Sequence, residues 1–269
     1  WKVRLPGIRI MLAKYDVDSA YKLIWLAPDD AGLFATELPG ILIGLPINVL
    51  IISLCLTFGY QGSPGEYMAF AWTNKFLYQA ARPVDPDWHD DVPFHCKTLM
   101  DDQVMIEPDI GVRCHIASWW AQYAMRQVFG DEALNQKKLD EEGQFETTKI
   151  NWGIHYDTVC ETISLPEPKV LKLRFLVNEP AFAYGSSAVP LALSRSLLGV
   201  LNYAAPCCPL VWPELGALYQ LLKRSSEGHA NVTLPGDEAA VQRTWEEIWD
   251  SLELLRVLVE DATLWVSHF

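Results

Sequence analysis

Basic charge is scarce in this sequence: 21 Lys plus Arg stand against 34 Asp plus Glu over 269 residues, a formal net charge of −13. Nucleic-acid binders usually carry a basic surplus, so the overall charge alone speaks against one. Cysteine is sparse as well. The six present (Cys55, Cys96, Cys114, Cys160, Cys207, Cys208) show no CxxC and no Cys/His ligand spacing. They read as buried free thiols in a reducing compartment, not as a disulfide framework or a zinc site. The sequence shows no internal repeat and no basic-plus-apolar leader, and it opens on Trp1. It reads as a piece of something longer, cytoplasmic or nuclear and not secreted.

What is present is apolar and aromatic. Half of the residues are hydrophobic, with 11 Trp, 10 Tyr and 10 Phe, which excludes a disordered or collagen-like chain. The length suits one large domain or two ordinary ones, burying roughly 70–75% of the unfolded surface. The acidity is uneven. Residues 1–60 sum to zero, whereas the last 44 residues sum to −7. Residues 39–58, PGILIGLPINVLIISLCLTF, hold no charge over twenty positions, the length of a membrane span. Gly40, Gly44 and Pro46 interrupt that run and β-branched residues dominate it, which predicts buried strands around a turn.

Periodicity predicts a strand ending near Asp16, a strand pair through Leu56, and a helix over 63–81 with Ser63 as N-cap and Pro64 at its first position. Two strands, PFHCKTLM and QVMIEP, meet at an Asp101–Asp102 turn. The strongest helical pattern covers 111–130, and TTKINWGIHYD with TVCETISLP predicts a further hairpin. Strand signals stop after PEPK (166–169), and helices follow over 169–225 and 237–265. The fold class expected is α+β: an antiparallel sheet domain followed by a helical region.

Chemistry concentrates in three segments. Asp16 ends an apolar strand, and Asp101 and Asp102 sit together at a strand tip. Adjacent carboxylates repel, and divalent cations relieve that repulsion; two Mg²⁺ ions about 3.5–4 Å apart can hold the attacking and leaving oxygens of a phosphoryl displacement. DD is also a common turn dipeptide, so the pair alone permits a purely structural turn. Between the acidic segments, LTFGYQGSPGEYM gives a small-side-chain entry to a helix where backbone can approach a ligand.

In this order, KYDVDSAY, FGYQGSP and LMDD resemble the three palm motifs of retroelement reverse transcriptases, leaning towards the DIRS-like branches. The resemblance covers about residues 8–225. It implies a polymerase palm over 1–165 (antiparallel sheet with helices on one face), a thumb over 166–225 and an acidic helical connection segment over 226–269. The activity implied is RNA-directed DNA polymerisation: a primer 3′ hydroxyl attacks the α-phosphate of a dNTP, with two Mg²⁺ (or Mn²⁺) ions on Asp16, Asp101 and Asp102. Tyr21 then lies beneath the nucleotide sugar and favours dNTPs over rNTPs, with Phe58, Gly59 and Gln61 around the nucleotide. Gly62, Ser63, Pro64, Met100, Lys137, Lys138, Trp152 and Gly153 fall to the template and primer, the lysines in a basic loop and Trp152–Gly153 in a primer-gripping hairpin. Implied partners are an RNA or DNA template with a DNA primer, dNTPs, and the fingers and RNase H parts of a polyprotein, with no membrane.

The sequence departs from the pattern in places. Leu99 stands where the family usually has Tyr or Phe, Phe58 replaces the Gln of retroviral relatives, and only fifteen residues precede Asp16, where fingers are expected. Other candidates read more simply. His89, Asp90 and Asp91 suit a solvated loop, Trp119, Trp120 and Tyr123 suit core and interface, and Asp18 and Glu66 have no assigned role. Lys169, Lys172 and Arg174 suit either a duplex backbone or a solvated face. A catalytically inactive, reverse-transcriptase-derived relic that binds nucleic acid or protein is the competing reading.

Overall fold

The computed structural model describes residues 1–84, 90–186, 189–223, 231–232 and 237–268. His89 lies outside them. The chain divides into two units, Trp1–Lys149 and Ile150–Phe269.

In the first unit, β1 (Ile10–Asp16) is followed by β2 (Ala35–Leu38), β3 (Val49–Ile52), α1 (Ser63–Ala80), β4 (Cys96–Leu99), β5 (Asp102–Pro108), α2 (Arg113–Phe129) and α3 (Gln136–Glu142). β1, β5 and β4 form an antiparallel sheet with β5 in the middle. Side chains alternate across it. Ala13, Tyr15, Gln103, Met105 and Glu107 face one way, and Leu12, Lys14, Asp16, Asp102 and Val104 face the other. The first face is covered by helices: Tyr15 Oη bonds Ser118 Oγ at 2.5 Å on α2, and Asn74 on α1 donates to Gln103 at 2.5 Å. α1 buries Ser63, Tyr67, Ala71, Asn74 and Tyr78, a stripe on the helical period. α2 buries Ala117, Ala121 and Ala124, small residues that let α1 approach, and Tyr67 stacks on Phe129 at 5.6 Å.

Glu107 is the polar centre of that layer. It accepts from Arg113 Nε at 2.7 Å, Tyr78 Oη at 2.9 Å and the His95 amide at 2.5 Å. Arg113 also reaches Asp90 at 2.6 Å and the carbonyls of Val92 and Pro93, with the Trp1 ring 4.9 Å from its guanidinium.

In the second unit, β6 (Thr148–Asn151), β7 (Ile154–Asp157), β8 (Thr162–Ser164) and the late strand β11 form a four-stranded antiparallel sheet in the order β11-β8-β7-β6; β6 begins two residues before the division. Between β8 and β11 come α4 (Glu167–Val177), β9 (Val189–Pro190), α5 (Leu191–Ala204), α6 (Trp212–Leu218), α7 (Gln220–Lys223), β10 (Asn231–Val232) and α8 (Glu238–Glu260); β11 is Val266–His268. The core is aliphatic with Trp245, Trp249 and Trp265. Arg256 on α8 ties α4 to the next turn through the carbonyls of Val177 (3.1 Å) and Phe182 (2.7 Å).

Several local expectations are corrected. Strands do not stop after residue 169: β9, β10 and β11 are short pairings, too brief for period-two alternation to register. Residues 136–142 are a helix and not a basic loop, with the Asn135 side chain accepting from the Lys138 amide at 3.2 Å as its N-cap. Gly62 holds the N-cap position of α1, and Ser63 is already inside the helix. The turn between β4 and β5 is Met100–Asp101, with Asp102 opening β5. The apolar ribbon of β2 and β3 pairs as expected but is not buried: Ile41 is 85% exposed, and Leu42, Ile47 and Leu50 also face solvent. Among the described residues these two strands pair only with each other, and no second layer covers them. Trp119 is 56% exposed and stacks on Tyr123 at 5.3 Å instead of entering the core. Three cysteines (Cys96, Cys207, Cys208) are buried free thiols, whereas Cys160 is exposed. No helix among the described residues is long and apolar enough to cross a membrane.

Burial pushes Glu107 up to about 7, against the opposing pull of Arg113 and its other donors. Arg113→Ala leaves that carboxyl buried without its cation, and such a loss costs about 3–5 kcal/mol. The sign of its pH dependence follows. Both proteins lose stability as pH rises from the ordinary carboxyl range to about 7, because the folded state binds the proton more tightly. Above that point only the variant, its carboxyl raised further, keeps losing. Urea unfolding is expected to show a larger deficit for Arg113→Ala at pH 8.5 than at pH 6.

Candidate active site

Asp16 and Asp102 are directly opposed residues of β1 and β5, on the face turned away from α1 and α2, where Asp16 is buried and Asp102 half-buried. Directly opposed antiparallel residues have Cα atoms about 4.5–5.5 Å apart, and like charges there destabilise the pair. The fold answers with two lysines. Lys138 Nζ on α3 lies 2.8 Å from Asp16 Oδ1, and Lys14 Nζ lies 3.3 Å from Asp102 Oδ1 and 3.4 Å from Glu142. Lys14 is two residues before Asp16, hence on the same face of the strand. The hydrogen bond to Asp16 pushes the Lys138 ammonium up, and burial pushes the Asp102 carboxyl up while Lys14 pulls it down.

The third carboxylate, Asp101, occupies the turn. Met100 before it adopts a left-handed conformation (φ 54°), uncommon for a residue with a Cβ and a form of local strain that clusters at functional sites. Main-chain bonds pin the neighbourhood: the Val17 amide donates to the Asp101 carbonyl, and the Asn135 amide donates to the Asp16 carbonyl, both at 3.4 Å.

Tyr21, in a short 3₁₀ turn after Asp16, is buried and meets Phe58 edge-on at 4.7 Å and Tyr67 at 5.4 Å. Phe58, Gly59, Gln61 and Pro64 are exposed. Gly59 has φ 91°, which a side chain would strain, and a Cβ at Gly62 would come within 2.7 Å of the Tyr60 ring. Ser63 Oγ donates to the Thr57 carbonyl at 2.9 Å and closes this loop. The segment is tied to the Tyr21 turn by the Leu56 amide on the Ile24 carbonyl at 3.0 Å.

The first unit thus gathers Asp16, Asp101, Asp102, Tyr21, Phe58, Met100 and Lys138, whereas Lys137 points to solvent from α3. Trp152 and Gly153 belong to the second unit. Both have positive φ (51° and 78°), the two-residue turn that matches strand twist in a hairpin. Lys169 lies against Gly153 and 4.2 Å from the centre of the Tyr203 ring, and Arg174 is held by the Val259 carbonyl and Glu260. Sequence reasoning missed Lys14, whose period-two spacing from Asp16 was the available signal, and Tyr67, which only the buried stripe of α1 could have revealed.

Among the described residues no three His, Cys, Asp or Glu side chains are grouped to hold a metal ion. Mg²⁺, however, is usually bound by one or two carboxylates plus waters and substrate phosphates, not by an all-protein cage. Hard-oxygen donors on two opposed strand positions and the adjoining turn fit such an ion chemically, and an ammonium already occupies the cationic place on each of the two strand carboxylates.

No family model matches the sequence, and no curated protein matches it. In structure the chain is similar to a foamy viral protease–reverse transcriptase solved in complex with double-stranded DNA, with a TM-score of 0.55 and 13% identity over 91% of this chain and 35% of that one. The chain therefore spans about a third of that protein's length. At this identity the likeness shows the fold, a polymerase-like α+β arrangement with antiparallel sheets.

Proposed function

We propose that the chain is the palm and thumb portion of a retroelement reverse transcriptase, an RNA-directed DNA polymerase. The observation that carries this reading is the register of β1 and β5. It sets Asp16 opposite Asp102, with Asp101 in the adjoining turn, beside a buried Tyr21. Two Mg²⁺ or Mn²⁺ ions on Asp16, Asp101 and Asp102 would supply Lewis-acid stabilisation of the attacking and leaving oxygens when a primer 3′ hydroxyl displaces pyrophosphate from a dNTP.

The chain's own residues do the rest. Lys138 and Lys14 offset the carboxylate charge while the site is unloaded and release it on loading. Tyr21, fixed between Phe58 and Tyr67, forms the floor under the sugar and leaves no room for a 2′ hydroxyl, a steric rejection. Gly62–Pro64 and Met100 contact the template and primer, Trp152 and Gly153 lie in the hairpin that grips the primer, and residues 166–225 serve as the thumb. Fingers and RNase H come from other parts of a polyprotein.

The lysine pairs also suit the relic reading, in which Asp16 and Asp102 are held permanently by ammonium groups. Primer extension separates the two. The chain joined to the fingers of its polyprotein, given a primer–template, dNTPs and Mg²⁺, is expected to extend the primer, and Asp101→Asn is expected to lower the rate by about 10³-fold. Undiminished extension by that variant removes Asp101 from the assignment. Binding of the duplex with a steep salt slope but no extension supports the relic, and Lys137→Ala should then reduce the slope by about 1.

Replacing Tyr21 by Val opens the floor. The ratio of rNTP to dNTP incorporation is expected to rise by about tenfold or more, read from single-nucleotide incorporation on one template.

A further inference from the structure

A cavity of about 260 Å³ opens on the first unit, walled by the 24–34 segment, the loop before α1 and the first turn of α1. Three of its lining side chains are aromatic, Trp25, Phe34 and Tyr60, and two are carboxylates, Asp30 and Glu66. Among the described residues no Lys, Arg or His lines it, and neither carboxylate forms an ion pair.

The walls are fixed from the main chain. Trp25 forms an isolated antiparallel bridge with Cys55, flanked by the Leu26 amide on the Leu54 carbonyl at 2.9 Å and the Leu56 amide on the Ile24 carbonyl at 3.0 Å. Side chains alternate along such a stretch, so Ile24 enters the core and Trp25 turns outward, 75% exposed. The Phe34 carbonyl accepts from the Ser53 amide at 3.1 Å, and the Phe34 ring meets Tyr60 edge-on at 4.7 Å. Tyr60 lies against Gly62, where a Cβ would come within 2.7 Å of its ring.

Each carboxylate sits in the first turn of a helix, Asp30 in the 3₁₀ helix Pro28–Phe34 and Glu66 in α1, and a helix start favours acids. That preference does not bring three rings to the same space, and it does not explain a tryptophan left in water, whose burial would be favourable. Aromatic faces attract cations. A guanidinium suits rings and carboxylates together, because it stacks flat on a ring and offers five N–H donors to oxygens at its edge. An ammonium is more strongly hydrated, and an anion would meet two carboxylates with no cation between them. The space is several times the roughly 30 Å³ that a water occupies in the liquid, which leaves room for such a head group.

We infer that this cavity is a binding site for an arginine side chain presented by another polypeptide, its guanidinium set against the aromatic walls with Asp30 and Glu66 accepting its N–H groups.

Isothermal titration calorimetry on the full chain tests this. N-acetyl-arginine amide is expected to bind with a Kd of about 1 mM, and N-acetyl-citrulline amide, close in shape but uncharged, about tenfold more weakly. Trp25→Leu keeps an apolar wall and removes the ring; Asp30→Asn with Glu66→Gln keeps the shape and removes the charge. Each is expected to weaken arginine binding by about fivefold. Both alter exposed side chains, and circular dichroism checks their folding; if one fails to fold, the other decides. A glycine-flanked arginine peptide is expected to bind at least as tightly as the amide. Absence of arginine binding by wild type overturns the inference, as do equal affinities for arginine and citrulline, tighter binding of Nα-acetyl-lysine amide, or an affinity unchanged in the folded variants. Markedly weaker binding of the peptide than of the amide overturns the polypeptide as the source. None of these measurements requires primer extension, so they stand whether or not the chain polymerises.

Discussion

Two like charges set opposite each other across a strand pair organise the first unit. Asp16 and Asp102 cannot leave the face on which the register of β1 and β5 puts them, because a one-residue slip would send Tyr15 and Gln103 to that face and Asp16 into the helical layer. The repulsion is instead met by lysines, and this requirement reaches outward. It places α3 against the end of β1 so that Lys138 can reach Asp16, and it draws Lys14 towards both Asp102 and Glu142. The main-chain bonds between Asn135 and Asp16 and between Val17 and Asp101 fix the same corner from the backbone side.

β5 carries charge on both faces, by different physics. Asp102, on the face turned away from α1 and α2, stays partly hydrated and pairs with a lysine it shares with Glu142. Glu107 on the helical face is fully buried, and it has a full set of donors in Arg113, Tyr78 and His95. The buried network staples β5, α1, α2 and the 90–95 segment into one block. That rigidity lets the opposite face present carboxylates at fixed positions, since a site is only as well placed as the layer beneath it.

The apolar strand β1, the buried stripes of α1 and α2, and the acidic tip after β4 were legible because each leaves a local signal of composition or period. So was the gathering of Asp16, Asp101 and Tyr21, through motif order. The partner of Lys138 was not, since the segment had to be recognised as a helix capped by Asn135 before the lysine could be aimed at β1. The exposure of β2 and β3 was hidden for another reason. Composition reports how apolar a strand is, whereas burial depends on whether a second layer exists to cover it. Two-residue strands such as β9 and β10 depend on a partner far along the chain and leave no periodic trace.

The uncovered ribbon of β2 and β3 has a consequence for how copies of this chain behave together. Its edges present unpaired main-chain groups and its side chains are aliphatic, which is the surface from which strand-to-strand aggregation starts. Long-range repulsion between molecules of net charge −13 opposes that contact. The repulsion reaches only about 10 Å at 0.1 M salt and about 3 Å at 1 M. Colloidal stability therefore falls as ionic strength rises, and the same acidity that speaks against a nucleic-acid binder in the composition keeps copies of the chain apart at low salt.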